Sequence, residues 1–202
     1  MTIALDRRAL MGGMGALLVA AKSPPVAPPP VAPPTLVKSP RLRPGDTVGL
    51  IEPAGFTDDG FDLDLVRETI VAMGLKPKDA PHLAQRHGYL AGKDADRAAD
   101  INAFYADPSV KALFAVRGGW GCARLLPYLD FATIRAHPKL LVGFSDITAL
   151  HLAFAAKAGF TTIHGPNAAS SWGKLSWDAF RAVAFDAETP TFANPPGTED
   201  RL

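Results

Sequence analysis

Two short stretches hold the groups best suited to chemistry: Gly143-Phe144-Ser145-Asp146 and Arg117-Gly118-Gly119-Trp120-Gly121. Each follows an apolar run of strand character, Leu140 to Phe144 and Ala112 to Val116, so each lies where a buried strand gives way to a turn. A serine lifted out of a sheet on a sharp strand-to-helix turn is a nucleophile elbow, and Gly143, two places before Ser145, leaves room for one. Ile147 stands where a G-x-S-x-G hydrolase carries glycine, and a serine at a helix start also serves as an N-cap, so spacing alone leaves both readings open. If Ser145 attacks a carbonyl, the amide of Asp146 at the helix N-terminus is available to the oxyanion.

In the second stretch, Gly118, Gly119 and Gly121 bring backbone amides close to a ligand such as a phosphate or an oxyanion, or else they only make a tight turn. The dinucleotide spacing G-x-G-x-x-G is absent. Trp120 reads as a substrate platform or as a lid over the core. Arg117 suits bidentate pairing with a substrate carboxylate or a structural pair with Asp146.

The elements that must position these turns follow from periodicity. Thr47 to Ile51 reads as a strand, and Asp62 to Met73 as a helix with Leu65, Val66, Ile70 and Met73 inward, stopped by Gly74. Leu75 to Gly92 carries the weakest pattern and reads as a short strand and then a loop. Asp94 is expected to cap a helix that buries Ala98, Ile101 and Phe104 and ends at Asp107-Pro108. A helix from Cys122 to Leu129, a helix from Ile147 to Ala158 and a strand from Thr161 to His164 complete the alternation. Strands alternating with helices predict an α/β, Rossmann-like fold, a parallel sheet flanked by helices whose ligands sit at the carboxyl ends of the strands.

Composition narrows the function classes. Twenty-one basic and 20 acidic residues leave a formal charge of +1, too balanced for a sequence-independent nucleic-acid binder. No apolar run reaches the roughly 18 residues of a membrane span. Cys122 is the single cysteine, which excludes an intrachain disulfide and a multi-cysteine metal site. At the N-terminus, Arg7-Arg8 precedes the weakly hydrophobic stretch Met11 to Ala21, as in a twin-arginine export signal cut after Ala21, and the sequence from Pro24 to Pro34 reads as a polyproline spacer. The predicted organisation is a signal peptide at 1–21, a Pro-rich linker at 22–40, a folded domain at 41–167 and the start of an inter-domain linker at 168–202. The expected location is the periplasm.

Five blocks in order make a more specific pattern: Leu90-Ala91-Gly92 with Asp96-Arg97, Ala115 to Gly121, Val142 to Leu150, His164-Gly165-Pro166, and the opening Arg43-Pro44-Gly45-Asp46 with Pro53-Ala54-Gly55. Together they resemble the LD-carboxypeptidases of peptidase family S66. The resemblance implies that Ser145 is the nucleophile, that the amides of Asp146 and Gly119 form the oxyanion hole, and that Arg117, Gly118 and Trp120 meet the substrate. It implies a substrate too, the bond between the L-centre of meso-diaminopimelate and terminal D-alanine in murein tetrapeptides, cut without metal or cofactor. Asn167, after His164-Gly165-Pro166, departs from the pattern at a place expected to be apolar.

The family carries a C-terminal domain that supplies the glutamate and histidine of a Ser-His-Glu triad. None of His82, His87, His137, His151 and His164 matches the position of that base. His164 is expected to make a structural hydrogen bond, and His151 to point away from Ser145 as a surface or packing residue. The chain is therefore expected to be the nucleophile half of such an enzyme, cut short and inactive alone, with Trp172, Trp177, Phe180, Phe185 and Phe192 partly uncovered. A homodimer stays open. The competing readings are a non-catalytic murein-peptide or nucleotide binding module and a hydrolase of peptide-nucleotide antibiotics.

Overall fold

Short apolar runs bounded by turn residues become strands of a sheet covered on both faces. The computed structural model describes residues 35–58 and 60–194. Within them β1 (Thr47–Ile51), β2 (Lys76–Asp79), β3 (Val110–Ala115), β4 (Leu140–Gly143) and β5 (Ile163–His164) pair in parallel in the order β2-β1-β3-β4-β5. The predicted export signal at 1–21 and the prolines from 24 to 34 lie outside the described residues.

Strand alternation divides the core into two layers. Val110, Leu113 and Ala115 of β3 pack with Ile101 and Phe104 of α2 (Asp94–Ala106), Ile134 of α3 (Phe131–Ala136) and Leu150 of α4 (Thr148–Ala153). Ala112, Phe114 and Val116 face the other way, toward Leu63, Val66 and Ile70 of α1 (Gly60–Ala72) and Phe180 of α5 (Lys174–Arg181). The buried stripe of α1 runs Leu63, Val66, Ile70 and is continued by Met73 just past its end, whereas Leu65, expected inward, faces solvent. None of the described helices is long and apolar enough to cross a membrane.

Several local expectations need correction. Lys93, not Asp94, is the N-cap of α2, and it makes no side-chain cap bond; the Asp94 carboxylate instead accepts from Arg97 and Arg124. The helix at Cys122–Tyr128 is 3₁₀ and contains Pro127, which cannot donate to an α-helical ladder. The helix after Ser145 begins as a 3₁₀ turn at Ser145–Ile147, continues as α4 and widens to a π turn at Phe154–Ala158.

Neither end of the predicted domain coincides with the edge of the core. Val37 bridges Phe160, with its amide on the Gly159 carbonyl at 2.9 Å and its carbonyl taking the Thr161 amide at 2.8 Å. Residues assigned to the linker at 22–40 thus already pair with the body. At the other end, Ala168, Phe180 and Ala184 are buried, and the Leu42 amide donates to the Ala184 carbonyl at 2.7 Å. The stretch expected to begin a linker at 168 is a helix laid on the sheet. Of the aromatics expected to be partly uncovered, Trp172, Trp177 and Phe185 are half-buried as expected, Phe180 is fully buried beside them, and Phe192 is largely exposed.

Candidate active site

Both informative turns lie at the carboxyl rim of the sheet. β3 runs into Arg117-Gly118-Gly119, β4 runs into Phe144-Ser145, and the two strands are neighbours. Ser145 has φ 65°, a left-handed backbone rare for any residue with a side chain, at the point where β4 turns into its helix. The helix N-cap is Phe144 and makes no side-chain cap bond, so the helix-cap reading of Ser145 is not what the fold uses. The serine side chain is exposed at the rim.

Two close approaches make that turn possible. A Cβ at Gly143 would stand 2.8 Å from Asn167 Oδ1 and 3.1 Å from Ala115 Cβ, so only glycine lets the strand end pack there. A Cβ at Gly118 would stand 2.9 Å from Ser145 Cβ and 3.1 Å from its Oγ, so the bare backbone of Gly118 leaves the space beside the hydroxyl open. Gly119 follows at φ 136°, a conformation glycine supplies without strain, against the backbone of Gly55 and the hydroxyl of Tyr89.

Residues flanking the serine are pinned by side chains that sequence reasoning undervalued. Asn167 is buried, and its Oδ1 accepts the Phe144 amide at 3.0 Å, which accounts for a polar residue at a position expected to be apolar. His151 is buried as well. Its Nε2 lies 2.9 Å from the Gly143 carbonyl, which can only accept, so that nitrogen carries the proton, and Nδ1 accepts from the Thr162 hydroxyl at 2.8 Å. Burial holds the imidazole pKa below its ordinary value, in keeping with this neutral tautomer. His151 thus does point away from Ser145, but as a polar strut under the elbow. The spacing His151, eight residues after Gly143, carries no signal of this, because the bond depends on how the helix folds back across β4.

The remaining expectations sort as follows. Asp146 accepts the Cys122 amide at 2.8 Å, and Arg117 Nη1 donates to the Phe56 carbonyl at 2.8 Å, so the Arg117–Asp146 pair does not form. Each has found a nearer backbone partner. Burial, then the Asp146 carboxylate, pushes the Cys122 thiol far up, which leaves it an unreactive core residue. Trp120 is 57% exposed with the Arg124 guanidinium 5.5 Å from its ring, so it is no lid over the core. His164 is exposed at the end of β5, its ring beside Phe144 and His151 and its side chain in none of the hydrogen bonds among the described residues, so the expected structural bond is not made. The bonds that histidine rings do make go to Asp100, Thr133, Thr162 and Gly143, not to Ser145. Among the described residues no group of three metal-ligating side chains converges.

The arrangement presents a serine hydroxyl on a strained turn at a helix start, beside a glycine-lined strand end. Comparison with known proteins places this pattern. A model of the LD-carboxypeptidase N-terminal domain matches residues 48–165. A Streptomyces coelicolor protein assigned as a carboxypeptidase is 42% identical over 173 residues, covering 81% of this chain and 54% of the relative. The murein tetrapeptide carboxypeptidase of Pseudomonas aeruginosa is 42% identical over 123 residues, 59% of this chain and 38% of its own. Among solved structures, an MccF-like protein from Bacillus anthracis superposes with a TM-score of 0.70 at 28% identity, over 74% of this chain and 47% of that one. The chain spans about half the length of the proteins it matches.

Proposed function

The chain belongs to peptidase family S66, the LD-carboxypeptidases, and from that premise we propose that it supplies the nucleophile of a serine hydrolase releasing terminal D-alanine from murein tetrapeptides. The observation that carries the proposal is the backbone of Ser145, at φ 65° between β4 and its helix with Gly118 packed against it. A fold holds a residue in so sparsely populated a conformation when the position itself is needed.

In the proposed reaction, Ser145 Oγ bonds to the scissile carbonyl carbon as its proton passes to a general base. The carbonyl oxygen, now an anion, is held by the amides of Asp146 and Gly119. The bond to nitrogen then breaks, D-alanine leaves with the proton returned to its amine, and water hydrolyses the acyl-enzyme by the reverse sequence. The base is assigned to the glutamate and histidine that the family carries beyond the matched region. Serine, base and oxyanion hole suffice for acyl transfer.

The test uses this chain joined to the C-terminal half of a matched relative. Ser145→Ala should lower D-alanine release by several orders of magnitude while leaving tetrapeptide affinity nearly unchanged, since loss of a nucleophile affects chemistry more than ground-state binding. Appreciable turnover by the variant would remove Ser145 from the reaction. The likeness to a microcin C7 self-immunity protein of Escherichia coli, which has been solved in complex with aspartyl sulfamoyl adenosine, supports a second substrate class, a peptide-nucleotide amide cut by the same serine. Release of nucleotide in place of D-alanine in the same assay would favour it.

A further inference from the structure

A carboxypeptidase must recognise the end of a chain, and the end differs from the interior by a free carboxylate. The sheet order β2-β1-β3-β4-β5 changes direction between β1 and β3, and in open parallel sheets the crevice outside such a switch point is where ligands bind. Here that crevice is a cleft of about 470 Å³ lined by Gly55, Phe56, Asp58, Arg86, Tyr89 and Arg117. It shares a wall with Ser145. The Gly118 backbone that abuts the serine accepts the Gly55 amide at 3.3 Å, and Gly119 approaches the Tyr89 hydroxyl.

Two guanidiniums enter this cleft, and one residue orients both. Arg86 lies over the Phe56 ring at 4.1 Å from its centroid, and Arg117 donates one hydrogen bond to the Phe56 carbonyl at 2.8 Å. Neither of the acidic groups facing them, Asp58 and Glu52, makes an ion pair with Arg117 among the described residues. Asp58 meets Arg86 only at 3.5 Å, with the two side chains 74% and 65% exposed, an ion pair worth little in water. Glu52, within the field of Arg117, is buried and occupied by the Thr57 hydroxyl and the Ala84 amide. Arg117 therefore keeps most of its planar fork of donors open toward the cleft, the geometry that pairs bidentately with a carboxylate.

Building on the carboxypeptidase reading, we propose that Arg117 and Arg86, set by Phe56, form a clamp for the terminal carboxylate of the substrate, with Tyr89 closing the cleft beside Gly119. The scissile carbonyl of a terminal D-alanine is separated from that carboxylate by only the amide nitrogen and one carbon. A carboxylate clamp beside the Gly118-Gly119 strand end, which also borders Ser145, thus selects the last peptide bond and no other.

Binding separates this proposal from the catalytic one. Isothermal titration of the full chain carrying Ser145→Ala, with murein tetrapeptide ending in a free D-alanine carboxylate and with the same peptide ending in a carboxamide, should give at least tenfold tighter binding of the acid. Arg117→Gln and Arg86→Gln should each shrink that ratio several-fold, and together bring it near one, with melting temperatures unchanged. Arg117→Lys should recover only part of it, because it keeps the charge and loses the fork. Equal affinity for acid and amide, absence of measurable binding, or an undiminished ratio in the double variant each overturns the clamp. A persistent ratio in a completed protein that releases no D-alanine would instead leave the clamp standing and sink the carboxypeptidase reading.

Discussion

The backbone of Ser145 is a thermodynamic prediction in itself. A left-handed conformation costs an L-residue about 1–2 kcal/mol, and glycine escapes it while adding freedom to the unfolded chain worth about 0.4–1 kcal/mol. Ser145→Gly should therefore be more stable than Ser145→Ala by about 0.5–1 kcal/mol in chemical denaturation, although both lack the hydroxyl. If alanine is the better replacement, the turn is unstrained and the elbow is misread. His151 gives a second prediction with a definite sign. Its folded pKa lies below the ordinary 6.5 because burial disfavours the imidazolium. Its contribution is thus fully present above pH 6.5 and is lost as pH falls through the lower folded pKa. The stability difference between wild type and His151→Gln should narrow on acidification below pH 6.5 in parallel urea titrations. A difference flat across that window would mean that His151 is not held neutral by its place under the elbow.

Element by element, what was legible in the sequence is what repeats with a period. The apolar run Ala112 to Val116 and the spacing of Val66, Ile70 and Met73 announce a buried strand and a one-sided helix, and both are found. Less legible was β2, because Lys76-Pro77-Lys78-Asp79 is a mostly exposed edge with no apolar residue to alternate. The strut from His151 and the clamp on the Phe144 amide from Asn167 were not legible at all, since each joins residues that only the fold brings together. In the segment after residue 168 a signal was present and misassigned: Trp177, Phe180 and Ala184 recur at helical spacing, yet the stretch read as the start of a linker with its aromatics partly uncovered. Phe180 instead packs edge-on against Phe114 of β3, with ring centroids 5.7 Å apart. Removing it leaves a cavity over the centre of the sheet, so Phe180→Ala should cost about 3–5 kcal/mol of unfolding free energy. A cost below about 1 kcal/mol, the range of a surface substitution, would mean that α5 is an appendage after all.

At the scale of the whole molecule, a parallel sheet gathers its carboxyl strand ends at one rim, and that is why Ser145, the Gly118-Gly119 wall and the two-arginine cleft lie together although they come from the ends of four strands, β1 to β4. Among the described residues, no histidine ring bonds to the serine. Nδ1 and Nε2 of His151 are both engaged, His82 is paired with the buried Asp100 at 2.7 Å, and His137 bonds to the Thr133 carbonyl of its own helix. His87 lies in the loop that carries Arg86 and Tyr89, and His164, exposed beside Phe144, is the histidine whose ring lies against the elbow. Without a base in hydrogen-bond reach, a serine stays a neutral alcohol, and what persists is binding plus the oxyanion hole. In serine proteases those give roughly 10³- to 10⁴-fold over water, a remnant of the full acceleration. The 202-residue chain on its own should therefore release D-alanine from murein tetrapeptide at no more than that remnant, while the chain joined to the C-terminal half of a relative should gain several orders of magnitude. Enzymatic rates from the chain alone, abolished by His164→Ala with the melting temperature unchanged, would reverse the assignment and make His164 the base.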